Sequence, residues 1–370
     1  MQKYIKLCYV LPDYNSKTDS HFFHLYEFLE KASKKLDIFL IVERSSSNKE
    51  DIGSVMPDIK FIYIQKFKFI PFRFIESFIA VLIARIKGYK NFYTHYCYIG
   101  GTNAAIISRV FGGKSYYWNC AMNWLFKKKD SSKIGYELCL KWSHYLVTGS
   151  AGMKKGYIEH YHLSPERVKV MPNWINLERF KPGNFQPKAG PPRAEKTLLF
   201  IHWLSKRKGA DMIVPIAKHL SQILNTKYKI LVAGNGPYGD DLLKEIEENK
   251  LKKIIEVLGA IPNENIIKYY EKTDIFIMPS MEEGFPRVLL EAMAMGVPYI
   301  ASDIGAVREI SSEIAQRFLV RSGDAEMFAH KIENLISDER VYEDFRKEEL
   351  QKIKEYSIDK VIDIFVKLFK

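Results

Sequence analysis

Residues 274–310 read DIFIMPSMEEGFPRVLLEAMAMGVPYIASDIGAVREI, and this stretch decides the fold class. Asp274–Met278 is a short, mostly apolar run of the length of a buried strand. A loop over Pro279–Pro286 follows, and its last residue can start a helix because its missing N–H would have no partner there. Arg287–Met295 are good helix formers, and Val297–Ser302 has the pattern of the next strand. The stretch predicts a strand–loop–helix–strand unit with polar side chains at the strand's carboxyl end, where open α/β sheets bind ligands.

Acidic side chains on both sides of the helix start indicate what kind of ligand fits. Helix N-termini bind phosphate through their amides and the positive end of the helix dipole, and this helix begins near Arg287 and Val288. Glu291 lies one turn further on the same face, about 6 Å along the axis, which suits a ribose diol. Glu283, in the loop before the helix, can face a group attached to the far phosphate. A nucleotide-sugar fits all three positions; the alternative is that both glutamates, like Glu282, are solvated surface acids.

The same residues resemble a known family. The stretch from Glu283 to Glu291, EGFPRVLLE, is similar to the Glu-x7-Glu signature of retaining glycosyltransferases of family 4, which have the GT-B fold. In that family the second Glu binds the nucleotide ribose, the first contacts the donor sugar, and helix-end amides hold the distal phosphate. The resemblance implies that Glu283 is catalytic and that Glu291 binds the donor. It extends donor binding to the residues between them: Gly284, Phe285, Pro286, Arg287 and Val288.

Composition and charge narrow the class of protein further. The 370 residues are enough for two domains, and their apolar and charged contents are those of a globular chain. A net charge of +12 favours acidic partners such as nucleotides and phospholipid head groups, but no recognised nucleic-acid motif is present. The four cysteines are scattered, which indicates reduced thiols and a cytoplasmic protein. Neither a signal peptide nor a membrane-spanning helix is expected.

Short apolar runs alternate with helical patterns along the whole chain. That alternation predicts doubly wound parallel sheets, and the Pro/Gly-rich linker 184–196 separates two such halves. The predicted α/β organisation has an N-terminal Rossmann-like acceptor-binding domain over residues 1–183. After the linker come a C-terminal Rossmann-like nucleotide-sugar-binding domain over 197–354 and a terminal helix over 355–370. The resemblance implies the GT-B arrangement, with a cleft between the domains and the terminal helix returning to the first one.

A basic loop after the first strand of the second half is a further candidate. Within Ser205–Gly209 (SKRKG) a lysine can pair with a diphosphate as a point charge, and the alternative is a solvated basic loop. The family has Gly-Arg-Leu-x-x-x-Lys-Gly here, so the resemblance implies a catalytic Lys208 that neutralises the leaving diphosphate. Trp203 occupies the position of the family's Arg, and His202 that of its first Gly. Arg207 or the lysine before it is the candidate for the missing positive charge.

Other segments of the second half add donor contacts. Gly234–Gly236 (GNG) follows a strand and allows the backbone to approach a nucleotide, although tight turns are the commoner use of Asn-Gly. In the family this loop lines the donor site, and backbone at the position of Ile261 meets the base, so the resemblance adds Gly234 and Ile261 to the donor-binding residues. Residues 173–180 resemble the family's Asn-Gly-Val-Asp-x-x-x-Phe element, with Trp174 in place of Gly.

The first half departs more from the family. Thr18–His21 stands where a Gly-rich turn near the diphosphate is usual, and Asn119 stands beside Cys120 where a His near the reacting sugar is common. Asn119 can still hydrogen-bond a sugar hydroxyl, whereas Cys120 is expected to be a buried thiol. His95 and His21 lie at strand ends. Each can face the sugar or the acceptor, or serve a structural role.

Residues 66–93 combine basic and aromatic side chains, and Glu76 is the only acid among them. One interpretation is a helix that lies on an anionic membrane surface with its apolar face down. The other is a core helix whose basic residues are solvated, and periodicity cannot separate the two. The expected partners are a nucleotide-sugar donor, a glycan or lipid-linked acceptor, and a peripheral contact with the inner face of the cell membrane.

The motifs favour one reaction. No Asp-x-Asp motif near a strand end and no Cys/His cluster with metal spacing is present, so neither a metal nor another cofactor is expected. The leading hypothesis is a retaining, metal-independent glycosyltransferase that moves a hexose from a UDP- or GDP-linked sugar to a glycan or lipid-linked glycan in bacterial-type polysaccharide assembly. The alternatives are another GT-B activity, such as a sugar-nucleotide epimerase, and a non-catalytic sugar-nucleotide-binding protein.

Overall fold

The structure is a computed structural model that describes residues 4–15, 23–122, 124, 131–183 and 195–370. The chain divides into two compact units: Met1–Pro172 with Asp359–Lys370 form the first, and Asn173–Ile358 form the second. The candidate residue His21 and most of the predicted linker 184–196 lie outside the described residues.

The first unit alternates strands and helices, as the sequence pattern predicts. Its strands are β1 (Ile5–Leu11), β2 (Leu36–Val42), β3 (Phe61–Ile64), β4 (Asn91–His95), β5 (Lys114–Trp118), β6 (Tyr145–Thr148) and β7 (Val168–Val170). The helices between them are α1 (Phe23–Ser33), α2 (Lys49–Val55), α3 (Ile70–Ile86), α4 (Tyr98–Val110), α5 (Ser131–Trp142) and α6 (Ala151–Tyr161). The strands form one sheet in the order β3-β2-β1-β4-β5-β6-β7, and every pair is parallel.

β1 lies near the middle of this sheet, between β2 and β4. Leu7–Leu11 are fully buried, because a central strand of a parallel sheet is covered on both faces. That double burial explains why the strand is a continuous apolar run and shows no alternation of apolar and polar residues.

The second unit repeats the pattern. Its strands are β8 (Glu195–Ile201), β9 (Lys227–Ala233), β10 (Ile255–Gly259), β11 (Ile275–Met278), β12 (Tyr299–Ser302) and β13 (Leu319–Val320). Its helices are α7 (Ile213–Ile223), α8 (Gly239–Glu248), α9 (Ile267–Tyr270), α10 (Arg287–Ala294), α11 (Val307–Ile310), α12 (Glu313–Gln316), α13 (Ala325–Ser337) and α14 (Glu339–Lys352). The sheet order is β10-β9-β8-β11-β12-β13, again with parallel pairs.

The strand order of the second sheet reverses between β8 and β11. β8 pairs with β9 on one side and with β11 on the other, through Leu198 opposite Ile275. Ligands of open α/β sheets bind at such a switch point, beyond the carboxyl ends of the strands. The loops after β8 and β11 therefore lie at the edge of the sheet where a ligand is expected.

The regular helix after β8 does not begin directly at the end of the basic loop. Ala210–Met212 form a 3₁₀ turn, and the regular helix α7 starts at Ile213. The reason is the left-handed conformation of Gly209, with φ of 75°, which separates the basic loop from the helix. In the described part of the chain, no helix has both the length and the apolar character needed to cross a bilayer.

The last helix, α15 (Ile358–Lys367), completes the core of the first unit. The ring of Phe365 lies 4.8 Å from that of Tyr93 and 5.1 Å from that of Phe28, centroid to centroid. Its edge also meets the ring of Tyr9 at 6.3 Å. The chain thus returns to the first unit at its C-terminal helix, after the residues of the second unit, as the fold prediction requires.

We expect Phe365→Ala to lower the free energy of unfolding of the first unit by about 3–5 kcal/mol, because the change leaves a cavity among buried aromatic rings. Hydrogen exchange of the β1 and β4 amides measures this loss. The matched control is Lys367→Ala on the exposed side of the same helix, which should change the free energy little. Equal protection in both variants would contradict the role given to Phe365.

Candidate active site

Two loops at the carboxyl ends of β8 and β11 lie against each other in the second unit. The Met281 amide donates a hydrogen bond to the Arg207 carbonyl at 3.0 Å. A Cβ at Gly209 would lie 2.2 Å from the Pro279 carbonyl oxygen, so any side chain there would push the loops apart. The contact places the basic loop next to the acidic one.

Glu283 is buried, with 5% of its surface exposed, and three groups contact the same oxygen. Its Oε1 lies 2.7 Å from Lys208 Nζ, 2.8 Å from His202 Nε2 and 2.9 Å from the Ser280 hydroxyl, which donates. Burial alone would raise the pKa of this carboxyl, but His202 and Lys208 lower the pKa to about 2. Glu283 is therefore an anion throughout the neutral pH range.

His202 is a site residue absent from the predicted set. Its Nδ1 accepts the Trp203 amide at 2.9 Å, so Nε2 carries the ring proton and donates it to Glu283. His202 directly follows the central strand β8, which places it at the switch point of the sheet. The sequence does contain a signal for this residue. A titratable side chain stands directly after the strand, at a position where the family that the chain resembles has Gly. The next side chain, that of Trp203, is exposed.

Lys208 is buried and has two partners in the acidic loop. Besides Glu283, its Nζ contacts the Glu282 carbonyl oxygen, to which it donates at 3.3 Å. The sequence placed this lysine beside a diphosphate, and the structure brings it together with the predicted catalytic carboxylate. Such a pairing is what permits an ammonium to be buried.

The expectation that Glu282 is a solvated acid is wrong. Its surface is 8% exposed, because the basic loop lies against it. Burial raises the pKa of Glu282, and Arg207 and Lys208 oppose that rise. Arg207 Nη1 lies 3.5 Å from Glu282 Oε1, so in this structure the predicted donor-binding arginine is a partly exposed counterion of this carboxylate.

Glu291 lies on α10 and is also buried. Its Oε2 accepts the Tyr270 hydroxyl at 3.1 Å. Burial raises the pKa of Glu291, and the positive charge of Arg287, one turn earlier on the helix, opposes the rise. Arg287 in turn donates to the Trp174 carbonyl at 3.2 Å. The structure therefore brings two predicted donor-binding residues together on one face of α10.

The start of α10 is anchored by the segment that opens the second unit. Asn173 Nδ2 donates to the Phe285 carbonyl at 2.9 Å, and the buried Phe285 ring packs against that of Tyr356. Pro286 is the N-cap residue, and it makes no side-chain capping hydrogen bond. The amides of the first turn therefore have no cap from Pro286 and can serve as anion donors. Two further predicted residues are half-buried at this helix start: Gly284 and Val288.

A close backbone contact within the second unit explains why residue 234 is a glycine. Its φ is 138°, and a Cβ there would lie 1.8 Å from the His202 carbonyl oxygen. The Leu204 amide also donates to the Asn235 carbonyl at 2.7 Å. The loop that carries His202 thus accounts for a glycine that the sequence prediction assigned to a nucleotide. Ile261 is half-buried in the loop after β10.

The candidate residues described in the first unit have structural partners. Asn119 is buried, and its Oδ1 accepts the Tyr157 hydroxyl and the Ala121 amide, each at 2.8 Å. The buried ring of His95 stacks on that of Trp118, with centroids 4.1 Å apart. These contacts give both residues a role in the core of this unit, and a sugar contact by either residue stays a prediction.

The cluster in the second unit suits a ligand that carries both negative charge and hydroxyl groups. The helix start and Lys208 supply positive potential and N–H donors, while Glu283 and Glu291 supply acceptors. Within the described ranges, no group of three or more His, Cys, Asp or Glu side chains is placed to hold a metal ion.

The second unit, which carries this cluster, is similar in sequence to a known protein family. Residues 183–356 match the family model described as Glycosyl transferases group 1. The match covers a little under half of the 370 residues and includes Lys208, Glu283 and Glu291. The second unit is thus similar to group 1 glycosyl transferases.

Curated relatives are similar over part of their length. An uncharacterised glycosyltransferase of Methanocaldococcus jannaschii is 26% identical over 246 residues, which are 64% of this chain and 60% of that protein. A D-inositol 3-phosphate glycosyltransferase of Corynebacterium urealyticum is 29% identical over 202 residues, which are 51% of this chain and 46% of that protein. The chain spans about half the length of the curated relatives it matches.

Solved structures show the same fold. Anabaena HepE, in complex with UDP and glucose, has a TM-score of 0.76 to this chain at 16% identity, over 98% of this chain and 99% of that one. The predicted fold class, two Rossmann-like parallel-sheet domains of the GT-B type, is confirmed.

The low pKa of Glu283 predicts a pH dependence of stability. Its pKa is about 2 in the folded state and about 4.5 in the unfolded state, so ionised Glu283 stabilises the fold above pH 4.5. Lowering the pH from about 4.5 to about 2 should remove about 3 kcal/mol from the free energy of unfolding of the second unit.

Urea denaturation across this range, followed in wild type and in Glu283→Gln, measures that contribution. The glutamine variant should lack this component of the acid dependence. Glu326→Gln, at an exposed glutamate of α13, is the control and should behave like wild type. Parallel acid profiles for wild type and Glu283→Gln would contradict the assigned pKa.

Proposed function

We propose that the chain is a retaining, metal-independent glycosyltransferase that moves a hexose from a UDP- or GDP-linked sugar to a glycan or lipid-linked glycan in bacterial-type polysaccharide assembly. The observation that carries the proposal is the buried cluster of Glu283, Lys208 and His202 beside the start of α10, with Glu291 on that helix. The family match over residues 183–356 supports glycosyl transfer. HepE, which shares the fold, is complexed with UDP and glucose.

The contacts suggest which donor atoms meet which protein atoms. Tyr270 occupies Oε2 of Glu291, so Oε1 is the atom to accept a ribose hydroxyl. An ammonium donates three hydrogen bonds, and the two contacts of Lys208 leave one N–H for a phosphate oxygen, beside the amides of α10. The three groups around Glu283 contact Oε1, so Oε2 is the atom to accept a hydroxyl of the transferred sugar.

The ionisation of Glu283 suggests how the proton moves. A carboxylate with a pKa of about 2 is a poor general base at neutral pH, so Glu283 orients the sugar and stabilises positive charge developing on its ring. The bond from the anomeric carbon to the diphosphate oxygen breaks, and the acceptor oxygen bonds to that carbon on the same face. The departing phosphate oxygen takes the acceptor's proton. Lys208 and the helix start would balance the charge of the diphosphate, a task that a metal ion performs in other enzymes.

We expect Glu283→Gln to lower kcat for sugar transfer by roughly 100-fold or more, because the charge opposite the developing cation is lost. Glu291→Gln should instead raise the KM for the donor by about 10-fold, since it weakens a hydrogen bond made before the reaction. The assay offers each variant a panel of UDP- and GDP-sugars together with oligosaccharide or lipid-linked acceptors. Transfer is measured by nucleotide release and by mass spectrometry of the products.

Glu326→Gln serves again as the matched control, because it removes one exposed carboxylate outside the cluster. Full transfer by Glu283→Gln would sink the proposal. Conversion of the donor sugar with no acceptor present would show an epimerase. Donor binding without turnover on any acceptor would show a non-catalytic binding protein.

His202 is a positioning residue in this proposal, because it acts through Oε1 of Glu283. His202→Ala should lower kcat by about 10-fold with little change in donor KM, and His202→Gln, which keeps an N–H donor, should recover part of the loss. Steady-state kinetics at several donor concentrations separate the two constants. If both variants keep the wild-type kcat and differ only in melting temperature, the role of His202 is structural.

A further inference from the structure

Helix α3 (Ile70–Ile86) of the first unit turns one row of bulky apolar residues outward, while Phe78, Leu82 and Ile83 pack partly buried against the core. Its buried residues are mostly small or polar: Glu76, Ser77, Ala80, Val81 and Ala84. The outward residues recur at helical spacing, with exposed fractions of 53% for Phe72, 56% for Ile75, 48% for Ile79 and 77% for Ile86. On an ordinary surface helix the face turned away from the core is polar. An apolar stripe along about 25 Å of helix marks an interaction surface.

The arginines of α3 do not belong to this outward face. Arg73 Nη2 lies 2.8 Å from Glu43 Oε2, inside the unit. Arg85 Nε donates to the carbonyls of Phe111 at 3.0 Å and Gly112 at 2.9 Å. Both cations therefore tie the helix to its own unit and leave the outward stripe apolar.

The loop before α3 extends the apolar surface. The rings of Phe67 and Phe69 are exposed, and the Phe72 ring packs against both, with centroids 5.6 Å away in each case. Glu76 fixes this loop from inside: its carboxylate accepts the Lys66 amide at 2.9 Å and the Phe67 amide at 3.1 Å. The one acid of the segment is thus turned inward, and the exposed aromatic rings are held in place.

Lysines surround the apolar surface. Lys66 and Lys68 are exposed in the loop, and Lys87 is exposed just beyond the last turn of the helix. A groove of about 620 Å³ beside the helix is lined by Tyr63, Phe72 and Ile75 together with Lys49 and Lys66. A second copy of the chain would bring these cations against each other, whereas anionic lipid head groups complement them.

We infer that the outward face of α3 and the loop 66–69 form a surface by which the protein lies on an anionic lipid bilayer. The helix lies in the plane of the interface, the aromatic rings enter the acyl boundary, and the lysines remain at the level of the head groups. This surface belongs to the first unit, and the inference stands whether or not the second unit transfers sugar.

Co-sedimentation of the full chain with vesicles tests the inference. One set of vesicles contains phosphatidylcholine alone, and the other also contains phosphatidylglycerol. The wild type should bind the anionic vesicles more tightly, and added salt should weaken that binding. Lys66→Glu with Lys68→Glu should lower the apparent partition coefficient by roughly 25-fold or more, since each lysine near the surface contributes about a factor of five. Phe72→Ser with Ile75→Ser and Ile79→Ser should lower it on the order of 100-fold.

Matched controls come from exposed residues of the same types on other helices. Ile134→Ser on α5 removes an exposed isoleucine of the same unit, and Lys155→Glu with Lys244→Glu makes the same change in net charge as the loop variant. Both controls should partition like wild type. Circular dichroism and thermal melting confirm that each variant is folded.

Three results would overturn the inference. One is wild type that stays in the supernatant with anionic vesicles at low salt. Another is apolar and lysine variants that bind anionic vesicles as well as the controls. The third is a dimer in analytical ultracentrifugation that the triple serine variant dissociates, together with no vesicle binding; this would assign the face to a second copy of the chain. Sugar-transfer assays, run in parallel without vesicles, keep this outcome separate from that of the proposed function.

Discussion

Removing a carboxylate from water costs several kcal/mol unless it is paired, and Glu283 is a buried residue of the candidate site. Its partners, Lys208 and His202, come from a different loop, so the cluster forms only if two distant segments are held within hydrogen-bonding distance. The parallel sheet meets that requirement by placing β8 beside β11. Gly209 then allows the loops to touch. The charge cluster and the sheet order therefore depend on each other.

Local sequence pattern was sufficient for much of the fold. The strand, helix and second strand predicted over residues 274–302 are observed as β11, α10 and β12, because short runs between helical patterns have few other solutions. The candidate site could also be predicted from the sequence, since one loop and the helix after it carry Glu283 and Glu291. These features depend on neighbours in sequence, and such neighbours are what a pattern records.

Features that depend on partners far away in the sequence could not be predicted from the sequence pattern. A sequence shows Lys208 and Glu283 as opposite charges but does not show that they meet, because 74 residues lie between them. The burial of Glu282 and the close approach behind Gly234 have the same origin, a loop from elsewhere in the unit. The sequence likewise does not show that the Tyr157 hydroxyl donates to Asn119 in the core of the first unit. In each case tertiary packing decided the role of the side chain.

The return of α15 to the first unit has a consequence for synthesis. Domains of a nascent chain generally fold in the order in which they emerge. Here the ring of Phe365 emerges only after the whole second unit has been synthesised. Until then it cannot cover the rings of Tyr9, Phe28 and Tyr93. At ordinary translation speeds, that interval is roughly 10 to 40 s. During this time the earlier half keeps an uncovered aromatic patch, which makes it a natural client for ribosome-bound chaperones.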